Sequence, residues 1–111
     1  MHTTRVLLSV LLVSTVAAVS ILAAAPQQKE PKQVYLDKCA VCHGDDGKGQ
    51  TAKGKKLKVK DVSSSDVKKM TDAQLLEVVL KGKGDDMDGY EKDLGADMSK
   101  KLVAYMRSLA K

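Results

Sequence analysis

Tryptophan and phenylalanine are absent from this 111-residue chain, and its aromatics are three tyrosines, Tyr35, Tyr90 and Tyr105. So few large apolar side chains make a thin core for a short domain, which buries a smaller share of its surface than a large one. The chain has two cysteines, Cys39 and Cys42, which excludes a multi-disulfide scaffold. Its two histidines are His2 and His43, and with His2 in the N-terminal export segment the rest of the chain holds no histidine pair for acid–base work. No proline follows Pro31. No β-type alternation, internal repeat or low-complexity tract is present. The net charge is +5, yet there is no aromatic-rich basic strip and no nucleic-acid motif, so nucleic acid is not the expected partner.

Acidic residues are missing from the first 25 positions, where Arg5 is the one charged residue. Val6 to Ala25 is an uncharged run of mostly Val, Leu, Ala, Ser and Thr, ending in Ala23-Ala24-Ala25. A short basic n-region, an apolar h-region and small residues at the end describe an export signal. The run is also long enough to span a bilayer, so residues 1–25 are a cleaved signal peptide or an N-terminal membrane anchor. Arg5 favours an N-in orientation, which puts the rest of the chain across the membrane. Residues 26–32 read as a polar linker, and residues 33–111 as one small domain.

Cys39-Ala40-Val41-Cys42-His43 is the most informative segment. Positions i, i+3 and i+4 share a helix face, so both thiols and the imidazole point the same way. C-x-x-C-H is the attachment motif of a c-type haem: two thioethers to the vinyl groups and a histidine to the iron. A redox dithiol leaves His43 without a role, and zinc lacks a fourth ligand. A covalent haem also explains an exported chain without a disulfide and supplies the apolar bulk that the core lacks.

The spacing of apolar residues predicts a helix from about Lys32 to Cys42, ended by the glycines from Gly44 to Gly49. Residues 50–63 read as a basic loop with Leu57, Val59 and Val62 turned inward. Its lysines, Lys53 to Lys60, are a solvated face or a docking patch for acidic partners. Ser63-Ser64-Ser65 opens a short turn through Lys69. Thr71 and Gln74 form a capping box for a helix that ends at Gly82. A last helix runs from Gly95–Asp97 to Ala110 on the stripe Met98, Leu102, Tyr105, Met106 and Leu109. Asp86-Met87-Asp88-Gly89 resembles part of a Ca²⁺ loop, but Tyr90 and the lack of a closing Glu break the register.

His43 is the one histidine beyond the export segment, so the sixth iron ligand falls to a methionine. Met98 and Met106 belong to the core stripe, and Met70 sits where a hydrophobic staple belongs. Met87 lies in a polar, Gly-flanked loop with no helical core to join, and is the expected ligand.

These segments together resemble the small monohaem class I cytochromes c over residues 31–111. Tyr35 matches the aromatic four residues before the first cysteine, and Cys39 to Gly44 match C-x-x-C-H-G. Gly47-Lys48-Gly49 matches the following G-x-G, Lys81 to Met87 the approach to the distal methionine, and Leu102-Val103-Ala104-Tyr105 the last helix. The chain departs from that family in Asp88, where proline often follows the methionine, and in Pro31, where glycine often sits.

The resemblance implies an all-α cytochrome c fold, three main helices plus a short helical turn around one covalently bound haem c. Cys39 and Cys42 would carry the thioethers, with His43 proximal and Met87 distal on the iron. The expected function is one-electron transfer in an exported, periplasmic chain rather than enzyme catalysis. Partners would be redox proteins with acidic docking surfaces on a membrane oxidase, reductase or dehydrogenase. The membrane itself is involved only if residues 6–25 stay as an anchor. The alternatives are a haem subunit or tethered module of an oxidase or dehydrogenase, and a small peroxidase if the sixth position is open.

Overall fold

The computed structural model describes residues 18–111. The n-region and most of the apolar run from Val6 therefore lie outside the described residues. Residues 18–30 form no helix or strand and are exposed throughout, Val19, Ile21 and Leu22 included. Among the described residues no helix is long and apolar enough to cross a membrane.

From Pro31 onward the chain is helical. Its elements are α1 (Pro31–Lys38), α2 (Ala40–His43), α3 (Ala52–Lys56), α4 (Ser65–Lys69), α5 (Asp72–Lys81) and α6 (Glu91–Leu109). Among the described residues there is no strand, and a single antiparallel bridge joins Lys83 to Met87. Three longer helices and the short α4 match the expected architecture; α2 is the detached end of the expected first helix, and α3 is an addition.

Local chemistry explains each boundary. Pro31 starts α1 from an extended Glu30, a position that needs no amide hydrogen. The helix expected to run unbroken to Cys42 divides at Cys39, whose φ of −108° falls outside the helical range. Thr71 accepts from the Gln74 amide at 3.1 Å while Gln74 Oε1 accepts from the Thr71 amide at 2.8 Å, completing the expected capping box of α5. The last helix begins earlier than its stripe suggests. Glu91 and Asp93 fill its first turn, where acidic side chains are favoured. Gly95, the expected start, is instead a kink with φ 71°, and Ser99 Oγ donates to its carbonyl at 2.7 Å.

The core lies where the first and last helices meet. Val34, Tyr35, Ala40 and Leu102 form its buried centre, with Met98, Tyr105 and Met106 packed against it. The rings of Tyr35 and Tyr105 stand 5.1 Å apart at 60°, a favourable tilted pair. Arg107 ties the middle of the chain to α6. Its Nε donates to Asp72 Oδ1 at 3.0 Å, and its Nη atoms donate to the carbonyls of Val67 and Met70.

Candidate functional site

The five motif residues are sorted by their helical positions. Ala40 is turned into the core, and Val41, 60% exposed, sits at the rim of the cavity. Cys39, Cys42 and His43 all line one cavity of about 320 Å³, as the i, i+3, i+4 spacing requires. The two cysteines are not joined in a disulfide.

Burial sets the chemistry of Cys39 and His43. It pushes the Cys39 thiol up to about 11, the reverse of the lowered value that a redox-active dithiol needs. Burial likewise lowers His43, holding the imidazole neutral, the form in which it can bind a metal.

A helix as short as α2 cannot hold itself, and its trailing carbonyls have no partners inside it. Each is taken by a group from elsewhere. Thr51 Oγ1 donates its single proton between the carbonyls of Val41 at 2.8 Å and Cys42 at 3.1 Å. The Gly49 amide donates to the His43 carbonyl at 2.7 Å. The buried Tyr35 hydroxyl donates to the Gly44 carbonyl at 2.7 Å. Thr51 is also the N-cap of α3, accepting from the Gly54 amide at 2.8 Å. Gly54 lies so close to the Cys42 carbonyl that any Cβ there would collide with it.

The cavity fits a large apolar cofactor. Leu57, Val59, Val67, Leu75, Val78 and Val79 supply its apolar lining, and its volume falls within the range of ligand pockets. His43 Nδ1 is buried with no hydrogen-bond partner among the described residues. A buried, neutral imidazole beside two thiols in an apolar cavity suits the ligand set of a covalent haem, so the residues present fit that group.

Met87 lines this cavity, as do Met70 and Met106. Met106 also packs against the core, and Met70 sits with Leu75 at the start of α5, the two positions of a hydrophobic staple. Met87 instead comes from the turn between α5 and α6. The Lys83 amide donates to the Met87 carbonyl at 2.8 Å, and the Tyr90 amide to that of Val79 at 2.9 Å. Gly82 has φ 77° and backs directly onto the Met87 carbonyl, where a side chain would not fit. These contacts stiffen a turn that has Asp88 where proline is usual.

Around the cavity, Lys38 pairs with Asp93 at 2.6 Å and Lys60 with Asp66 at 2.8 Å. Lys53, Lys58 and Lys83 also line it and make no ion pair among the described residues. A separate open groove of about 840 Å³ lies between α1 and the kink of α6, with Lys29, Asp37, Asp97 and Lys100 on its walls and no thiol or imidazole.

Sequence reasoning missed the parts played by Thr51 and Gly54. The signal was present as a Thr N-cap followed by Ala52. Gly54 and the surrounding lysines masked it, because glycine inside five residues argues against a helix.

Comparison with known proteins bears directly on this site. The family described as cytochrome C oxidase, cbb3-type, subunit III matches residues 26–106. Among solved structures, the KustC0563 c-type cytochrome is 26% identical and covers 75% of this chain and 100% of its own, with a TM-score of 0.69. Cytochrome cL from Hyphomicrobium denitrificans is 27% identical over 74% of this chain and 46% of its own, with a TM-score of 0.59. A stretch of 23 residues is 70% identical to thiosulfate dehydrogenase of Stutzerimonas stutzeri (strain A1501), covering 21% of this chain and 8% of that enzyme.

Proposed function

The chain belongs to the cytochrome C oxidase, cbb3-type, subunit III family and carries one covalently bound haem c, and from that premise we propose that it is a one-electron carrier with His/Met ligation. Cys39 and Cys42 form the thioethers, His43 is the proximal ligand and Met87 the distal one. The observation that supports this best is the convergence of all four side chains on one apolar cavity. The bound haem supplies the redox chemistry, its iron exchanging one electron between Fe(III) and Fe(II). The protein residues hold the ligands, exclude water and expose an edge for transfer.

The domain starts with α1 at Pro31, two residues before the expected boundary at 33, and the linker is 26–30. Residues 1–25 direct export to the periplasm as a signal peptide or stay as an anchor. The unpaired Lys53, Lys58 and Lys83 at the cavity suit a partner with an acidic face. Attraction of that kind speeds encounter and weakens as salt rises. The family's own description favours a second reading, in which the chain is a haem subunit of a membrane oxidase.

Absorption spectra of the oxidised and reduced exported protein test the carrier reading. A low-spin haem c with a weak far-red sulfur-to-iron band is expected. A high-spin iron that binds carbon monoxide at once overturns the carrier reading in favour of a peroxidase-type site. Mass spectrometry of the exported protein bears on the N-terminus: a start near Pro26 indicates cleavage, and intact chain in the membrane fraction indicates the anchored module.

A further inference from the structure

We propose that Thr51 is the positioning residue for His43, its one hydroxyl setting the direction in which the imidazole meets the iron. The proposal rests on the reading of His43 as proximal ligand. Metal-bound histidines are normally oriented by a hydrogen bond from the second ring nitrogen to a carbonyl, carboxylate or water. His43 Nδ1 is buried and has no such partner among the described residues. The ring therefore takes its orientation from its backbone.

That backbone is a four-residue helix held from outside. Thr51 is the hub of the arrangement, because the same oxygen donates to the Val41 and Cys42 carbonyls and accepts from the Gly54 amide. It thereby locks α2 to α3 immediately before His43. The absent Cβ of Gly54 lets α3 close onto the Cys42 carbonyl, so the two helices meet with no slack. Gly49 and Tyr35 hold the His43 and Gly44 carbonyls that follow; Tyr35 ties the C-cap of α2 to α1, but neither group reaches the Val41 and Cys42 carbonyls. Without the Thr51 hydroxyl the helix bearing both thiols and the imidazole can tilt in its seat. Water then reaches the proximal side and favours the more highly charged Fe(III).

The experiment uses the exported, haem-loaded full chain with Thr51→Val, Thr51→Ser and Gly54→Ala. Electron paramagnetic resonance of the ferric protein reads the spread of imidazole orientations, and a potentiometric titration reads the reduction potential. Thr51→Val is expected to broaden the low-spin signal and lower the ferrous-to-ferric ratio about threefold at a fixed poise near the midpoint. Thr51→Ser, which keeps the hydroxyl, should match wild type in both. If Thr51→Val yields no holoprotein, Gly54→Ala decides, since its new Cβ displaces the Cys42 carbonyl with the hydroxyl intact; broadening there supports the clamp.

A wild-type line width and potential in Thr51→Val, or in Gly54→Ala where that variant decides, overturn the proposal. The ligand reading is judged separately by whether the wild-type low-spin signal disappears in His43→Ala. If it does, a null result at Thr51 defeats the positioning role alone. If wild type has no low-spin signal, both fall.

Discussion

The Lys83 amide donates to the Met87 carbonyl at 2.8 Å, closing a turn whose methionine lines the same cavity as His43. This bridge gives the turn the stiffness that a proline after the methionine would otherwise provide. The expectation for Met87→Ala follows from the chemistry of a thioether, a soft ligand that favours Fe(II). The far-red band should vanish, the potential should fall, and the ferrous protein should bind carbon monoxide readily. Met70→Ala and Met106→Leu should keep the band. Visible spectra of the three variants decide the assignment, and loss of the band in Met70→Ala instead would move the ligand there.

Tyr35→Phe should destabilise the fold and change its response to alkali. The buried Gly44 carbonyl loses one of its two donors and keeps the Gly47 amide at 3.1 Å, a cost of about 1 kcal/mol. Burial also raises the Tyr35 hydroxyl well above its ordinary value of 10.0. Above that pH the unfolded tyrosine releases its proton while the folded one keeps it, so the native state binds more protons. Stability then falls as pH rises. Urea melts from about pH 8 to about pH 11 should show that decline in wild type and a shallower one in Tyr35→Phe.

Arg107 fastens three points on the segment from Val67 to Asp72 through one planar group. Arg107→Met should cost about 2 kcal/mol, the range for hydrogen bonds from a charged donor that is partly screened. Arg107→Lys should recover little, because an ammonium on a flexible stem cannot reproduce the guanidinium fork. Thermal unfolding of the holoproteins measures both.

Removing the haem should unfold the protein. Among the described residues the buried apolar set is Val34, Tyr35, Ala40, Val62, Val79, Leu102 and Val103, and the cavity separates its parts. Small domains with so little core need a staple. Chain carrying Cys39→Ala and Cys42→Ala, isolated without haem, should show weak helical circular dichroism. A cooperative melt would show that the polypeptide core suffices alone.

The legible parts of this chain were those fixed by local chemistry. Thr71 and Gln74 mark a helix start by their own hydrogen bonds, and Cys39, Cys42 and His43 share a face by spacing alone. The boundaries that escaped the sequence depend on distant partners. Cys39 departs from helical φ where α1 gives way to a segment clamped by Thr51. Residues 91–94 join α6 with Tyr90 tied to Val79, a contact that periodicity cannot register. The 52–56 helix exists because Thr51 bonds both ways, and the α2 half of that bond lies ten residues upstream.

The meeting of α1 with α6 governs the order of events in the life of the chain. Val34 and Tyr35 leave the ribosome early, whereas Leu102 and Tyr105, which cover them, are among the last residues made. Cys39 packs against that cluster, so it stays open to solvent until α6 closes over α1. Both thiols are therefore within reach of a haem while the exported chain is still open. Because the closed fold needs the haem, closure by the C-terminal helix comes after attachment and seals the finished bonds from solvent.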